Sequence, residues 1–349
     1  MADHKLKVAL LGATGMVGQR FVQLLEGHPW FELAALVASD RSAGKPYGEA
    51  ARWLLPGGVP ERAAGMTVRP LDPGGIEADF AFSALNAATA SEAEPAFRAA
   101  GFTVISNASA LRMDPQVPLV IPEVNADHLA LLAPQRARYG GAVAANPNCS
   151  TIGLCLSLEP LRRAFGLRRV LVTTLQALSG AGHPGVASLE ALDNVIPEIA
   201  GEEAKLRAEP AKIFGRIEGG CVRPAALPLG AQCNRVPVRD GHLLSVSVEL
   251  ERPAGMEEVR RAFLGYRSPL AGRGLPSAPE RPVVLEEGFA RPQPLLDRDR
   301  SGGMAVTVGR LQPCPILGLR YAALVHNTIR GAAGGTLLIA EVMKAQGLL

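Results

Sequence analysis

Val8-Ala9-Leu10-Leu11-Gly12-Ala13-Thr14-Gly15-Met16-Val17-Gly18 is the stretch that decides the fold. Its apolar run is too short for a helix and stops at a glycine, which reads as a buried strand; Met16 to Leu25 then carries helical periodicity. A strand that turns through glycines into a helix leaves the first helical N–H groups unpaired and aimed outward, as a dinucleotide pyrophosphate requires. The spacing is Gly-x-x-Gly-x-x-Gly instead of the commoner Gly-x-Gly-x-x-Gly, and helix–strand packing alone would explain Gly18.

Working outward, strands are expected at 7–11, 33–37, 80–84, 103–106 and 143–145, with helices at 16–25 and 91–100. That alternation predicts an α/β fold with a Rossmann-type doubly wound parallel sheet over residues 1–148. A helix over 150–165 leads into a different pattern, with β-rich segments at 169–176, 231–238, 242–250 and 303–311 and a polar helical stretch over 188–215. Residues 149–326 therefore read as an α+β substrate and oligomerisation domain with a mainly antiparallel sheet. Residues 269–294 are Pro-rich and read as an extended excursion, and 337–346 as a terminal helix within a segment, 327–349, that returns to the first domain.

At 349 residues two domains are expected. The formal charge of +3, without a polybasic block, argues against nucleic acid as a partner. The uncharged run from Tyr139 to Leu158 could span a bilayer by length, but Asn-Pro-Asn and several glycines and hydroxyl residues interrupt it, so no membrane association is expected. Five cysteines with no C-x-x-C pair predict neither a disulfide framework nor a metal site, and suit a reducing cytoplasm. Met1 to Lys7 passes straight into the first strand without the apolar region of a signal peptide, which also predicts a cytoplasmic chain.

Chemistry enters at Ala145-Asn-Pro-Asn-Cys149-Ser-Thr-Ile-Gly-Leu154, where a tight bend sets a cysteine at the mouth of a helix. A thiol there feels the positive helix end and is expected to ionise near neutral pH; the plainer alternative is a small residue opening a core helix. Downstream, Cys233-Asn-Arg235-Val-Pro-Val-Arg-Asp240-Gly241-His242 supplies a guanidinium and an imidazole. Asp240-Gly241 is a two-residue hairpin signal, which pairs Arg239 with His242 and sets Arg235 and His242 on one face, roughly 13 Å apart. After the second strand, Ser39-Asp-Arg41-Ser42-Ala-Gly-Lys45 offers hydroxyls and cations, with no acid at the first position, so a 2′-phosphate and hence NADP is favoured; Asp40 is the contrary detail.

Six blocks, Ser39–Lys45, Asn146–Cys149, Gln176–Gly182, Leu192–Glu198, Cys233–Val238 and His326–Ala333, resemble the aspartate-β-semialdehyde dehydrogenases, in the branch typical of archaea and fungi, and the likeness covers nearly the whole chain. The resemblance implies that Cys149 is the acyl-accepting nucleophile, His242 the acid/base and Gln176 the group that orients the substrate carbonyl. It implies Arg235 as clamp on the substrate α-carboxylate, Arg112 and Lys205 as the phosphate-binding pair, Glu202 as partner of the substrate ammonium, and Asn148 beside them. Whether Glu202 or Glu203 faces the ligand stays open. Gly12, Thr14, Gly15, Met16, Val17, Ser39, Arg41 and Ser42 would hold NADP, with Ser179, Gly180 and Asn327 at its nicotinamide end. The implied reaction is NADPH-dependent reduction of 4-aspartyl phosphate to aspartate semialdehyde with release of phosphate, a step of amino-acid biosynthesis, in a cytoplasmic homodimer or homotetramer. Malonyl- or succinyl-CoA reductase, N-acetyl-glutamyl-phosphate reductase and a non-catalytic NADP sensor are the alternatives. His183 is a second imidazole in a nearby loop.

Overall fold

The computed structural model describes residues 5–349, so the chain start used in the leader argument lies outside the described residues. The first five strands are β1 (Leu6–Leu11), β2 (Phe31–Val37), β3 (Phe80–Ser83), β4 (Thr103–Ser106) and β5 (Ala142–Ala145). They form one all-parallel sheet in the order β2-β1-β3-β4-β5, the doubly wound arrangement expected of alternating strands and helices. Because side chains alternate across a strand, Val8 and Leu10 enter one core and Ala9 and Leu11 the other. Both faces are buried, which is why these strands read as unbroken apolar runs.

The second domain contains β6 (Leu167–Gln176), a small ribbon of β7 (Arg216–Glu218) and β8 (Cys221–Arg223), then β9 (Leu229–Arg235), β10 (His242–Leu250), β11 (Val283–Glu286), β12 (Val306–Cys314) and β13 (Gly318–Val325). The large sheet runs β11-β12-β13-β10-β6-β9 and is mixed: β9 joins β6 and β11 joins β12 in parallel, while the other three pairings are antiparallel. β11 lies within the segment expected to be an irregular excursion, and β13 is an added strand whose Leu319, Tyr321, Ala323 and Val325 all point into the core. The polar stretch over 188–215 resolves into a short Ser188–Ala191 turn of helix and the Glu202–Ile213 helix.

One expectation fails. Asp240-Gly241 does not join two paired strands, because both edges of β10 are taken, by β13 on one side and β6 on the other. β9 lies beyond β6, so Arg235 and His242 reach the same end of the sheet from strands two places apart.

The Cys149–Phe165 helix lies between the two sheets, with Ile152, Leu154, Leu156 and Leu158 in the shared core. The Gly334–Ala345 helix returns to the first sheet, where Leu337, Leu338, Ile339 and Met343 pack with Val8, Leu10 and Phe80. Just before it, Arg330 donates to both carboxylate oxygens of Glu123, Nη1 to Oε1 at 2.8 Å and Nη2 to Oε2 at 2.5 Å, with both residues 1% exposed. Removing one partner leaves a buried charge uncompensated. Arg330→Leu should therefore lower unfolding free energy by about 3–5 kcal/mol in urea titrations, and Glu123→Leu added to it should restore much of the loss.

Candidate active site

Cys149 is the first residue of its helix because Asn148 caps it: the Asn148 Oδ1 accepts from the Ser150 and Thr151 N–H groups at 3.0 and 3.3 Å. The other half of the same amide donates to both oxygens of Glu202, at 3.1 and 2.8 Å. Gln176, the last residue of β6, donates to Glu202 as well, at 3.2 Å, and Lys205 at 2.7 Å. Glu202 is thus the carboxylate that faces the site. Glu203 turns away, accepting from the Cys233 N–H and pairing with Arg207.

His242 opens β10 and is fully buried, with Nε2 3.2 Å from Cys149 Sγ and Nδ1 3.0 Å from the Ala177 nitrogen. Arg235 ends β9 opposite Gln176 and donates from Nη1 to the Ala177 carbonyl at 2.7 Å. Cys149, Gln176, Glu202, Arg235 and His242 therefore converge, although they come from five separate elements. Arg112 reaches the same neighbourhood from a loop, donating to Glu209 Oε1 at 3.0 Å and to the Asn107 carbonyl at 2.6 Å.

The electrostatics correct one expectation. Burial, then the negative Glu202, push the Cys149 thiol up to about 12, against the opposing pull of Arg112, the Ser150 N–H and Arg235. The Ser150 N–H and the two arginines at the helix mouth do not outweigh burial and Glu202, so the thiol is not drawn down as the helix mouth alone predicts. Burial and the neighbouring Arg235 push His242 down to about 3. Glu202 is held below the usual carboxylate range: burial opposes this, but its bonds from Lys205, Asn148 and Gln176 outweigh it.

Two further residues, which local motifs do not disclose, build the site. Glu209 accepts from Arg112 with one oxygen and from the Asn148 N–H with the other, at 2.7 Å, tying the arginine to the cysteine's helix. Lys212 donates to the carbonyls of Arg112, Asp114 and Val117 at 2.5, 2.6 and 2.8 Å and so fixes the turn that carries Arg112; burial lowers it to about 8. Glu202, Lys205, Glu209 and Lys212 follow one another at three, four and three residues, one face of the Glu202–Ile213 helix. That spacing is visible in the sequence but looks like a solvated charged face.

The glycine loop fits a dinucleotide. Gly12 adopts φ +79°, and a Cβ there would lie 2.7 Å from the Ala84 carbonyl oxygen; Gly18 packs against the same turn, as its alternative reading had it. Gly15 is exposed and caps the Met16–Leu25 helix without a side-chain bond, so the backbone N–H groups behind it stay open to an anion beside Thr14, Met16 and Val17. Ser39 and Arg41 are exposed and Ser42 half-buried in a turn closed by the Ser42 N–H to the Ser39 carbonyl. Asn327 has its amide engaged by protein atoms: it donates to Ser179 Oγ and accepts from the Gly241 N–H, both at 2.8 Å. It braces the Ser179 loop. Met16, Ser179 and the exposed His183 line one cleft of about 420 Å³ between the domains, and His183 lies outside the Cys149 cluster.

Comparison with known proteins identifies the family of the chain. The family model described as semialdehyde dehydrogenase, NAD binding domain, matches residues 7–132, and that of the semialdehyde dehydrogenase dimerisation domain matches 158–330. An aspartate-semialdehyde dehydrogenase of Archaeoglobus fulgidus is 50% identical over 341 residues, 97% of this chain and 98% of the relative. That of Methanothermobacter thermautotrophicus is 50% identical over 343 residues, 97% and 99% of the two chains. The crystal structure of aspartate semialdehyde dehydrogenase with NADP from Candida albicans superposes with a TM-score of 0.93 at 40% identity, covering 99% of this chain and 100% of that one.

Gly180 exposes how tightly the cluster is packed. A Cβ there would sit 3.0 Å from Arg235 Nη1 and His242 Cε1 and 3.1 Å from His242 Nε2. Gly180→Ala should displace both side chains and lower turnover about 10–100-fold at little cost in stability, as expected when reacting groups shift by a fraction of an ångström. Steady-state kinetics alongside thermal unfolding would check it.

Proposed function

The chain belongs to the aspartate-semialdehyde dehydrogenase family, and we propose from its site that Cys149 carries the acyl group in NADPH-dependent reduction of L-4-aspartyl phosphate to L-aspartate 4-semialdehyde. The observation that carries this reading is Cys149 Sγ at hydrogen-bond distance from His242 Nε2, on a capped helix mouth, among groups matched to both charges of an amino acid. NADPH, when bound along the open Gly15 turn with its 2′-phosphate near Ser39, Arg41 and Ser42, supplies the hydride. The protein's own groups do the rest.

Cys149 attacks the acyl carbon and phosphate departs, leaving a thioester on sulfur. Arg112 and Lys205 stabilise the charge of the leaving phosphate; both already pair with carboxylates, Glu209 and Glu202, and a bound dianion would compete for them. Gln176 orients the acyl carbonyl. Arg235, whose Nη2 and Nε remain free of protein partners among the described residues, offers a planar fork to the α-carboxylate, and Glu202 meets the ammonium. Malonyl- and succinyl-CoA carry neither an acyl phosphate nor an α-ammonium, so these partners favour the aspartyl substrate. Five unpaired cysteines fit the cytoplasm as its compartment.

The enzyme is a homo-oligomer, and we assign a homodimer built on the outer face of the second sheet, where Leu171 is 53% exposed and Ile316 79%. These side chains border one apolar cleft with Gly230 and Leu317. Leu171→Glu should shift the protein to monomer in sedimentation velocity, and an unchanged sedimentation coefficient would exclude this face.

Phosphate-dependent NADP reduction with aspartate semialdehyde, run beside malonyl-CoA-dependent NADPH oxidation, tests the reaction. Wild type should turn over the first only, Cys149→Ala should lose it entirely, and Glu202→Gln should weaken use of the amino-bearing substrate. Efficient malonyl-CoA reduction that survives Glu202→Gln would replace this reading.

A further inference from the structure

Between β13 and the Gly334–Ala345 helix, residues Ile329–Ala333 close a π-type turn: the Gly331, Ala333 and Gly334 N–H groups each donate five residues back, to the His326, Thr328 and Ile329 carbonyls. Gly331 lies directly on the cysteine: a Cβ there would sit 2.6 Å from Cys149 Cβ and 3.1 Å from its Cα. It does not take a positive φ, so glycine is required at this position for space alone. One residue is about 100° around an α-helix, so tightening the turn to ordinary i−4 bonds would swing Arg330 and Gly331 off their partners while Leu337 and Leu338 kept their places on the first sheet.

Glu123 is what holds Arg330 in that register. Its carboxylate takes the forked grip of Arg330, and its backbone carbonyl accepts from Arg163 Nη2 at 3.2 Å, a side chain of the helix that Cys149 opens. One residue thus ties the turn by its side chain and the cysteine's helix by its main chain. As a source of stability the pair is weak, since burying two charges costs about as much as their attraction gains, and Arg330 Nε has no partner among the described residues. What the pair supplies is geometry.

We propose that Arg330 is a positioning residue for the reaction at Cys149: gripped by Glu123, it keeps the π-type turn in the register that seats Gly331 against Cys149 and so fixes the position of the sulfur in the site. The proposal rests on the reaction assigned above for what Cys149 does, but not for where it stands. Arg330 touches no reacting atom and acts through the backbone of Gly331.

The test uses the full chain carrying Arg330→Leu together with Glu123→Leu, which removes both charges and should melt within a few degrees of wild type. Its kcat should nevertheless fall about 10–100-fold while the KM for aspartate semialdehyde stays within about threefold, because Arg235 and Glu202 are held by other contacts. Iodoacetamide should label Cys149 about threefold faster or more in the same variant, as the wall against its Cβ loosens, with peptide mapping to separate it from Cys221 and Cys314. Labelling needs no substrate, so it reports on the turn even if the aspartyl-phosphate assignment fails. Gly331→Ala disturbs the same contact from within the turn, so adding it to the double variant should lower kcat by less than the product of the two separate losses. Should the double variant fail to fold, Arg330→Lys, which keeps the charge and loses the two-point grip, carries the same measurements. Wild-type kcat and labelling in a folded variant that lacks the fork would show that the pair only stabilises the chain and would overturn the proposal, as would a loss confined to KM or losses that simply multiply.

Discussion

Two carboxylates buried on one helix, Glu202 and Glu209, set the geometry of the whole site. A buried anion is tolerated only when charge and hydrogen bonds surround it, and the cost of leaving either unpaired would be several kcal/mol. The groups that satisfy them are those the proposed chemistry uses. Glu202 gathers Asn148, Gln176 and Lys205; Glu209 gathers the Asn148 backbone and Arg112. Stability of the helix and alignment of the site are thus one requirement. The lysine at the far end, Lys212, extends it by pinning the turn that presents Arg112.

A second node is the turn after β6. Gln176 contributes a side chain and Ala177 both backbone groups, so two consecutive residues orient Glu202's partner, His242 and Arg235. Backbone atoms are well suited to this because they carry no rotamer freedom, and the bare Gly180 that follows lets the Arg235 and His242 side chains close around them. The price in sequence terms is that alanine and glycine carry no chemistry to announce the role.

The same burial that organises the site sets its resting charge. The thiol is pushed up and the imidazole down, both chiefly by desolvation. The positive helix end and Arg112 act against that, but at a half-buried sulfur close to Glu202 they do not win.

Features that depend on neighbours along the chain were legible in the sequence: the apolar β1 run and glycine turn, the Asn148 cap that makes Cys149 helical, the two-domain division, and, through motif resemblance, the family and its reaction. Each follows from φ/ψ preference, capping or side-chain period, which are local properties. β13 was missed, although Leu319, Tyr321, Ala323 and Val325 fall at alternate positions, because the Pro313-Cys314-Pro315 and Gly318 run before it reads as loop. Strand order does not follow from local properties. Asp240-Gly241 has hairpin chemistry, and Gly241 does take φ +100°, but β6 inserts between the strands it would have paired. Which carboxylate faces inward and which arginine finds which partner were decided only in three dimensions, because each depends on the burial and hydrogen-bonding of atoms brought together from distant parts of the chain.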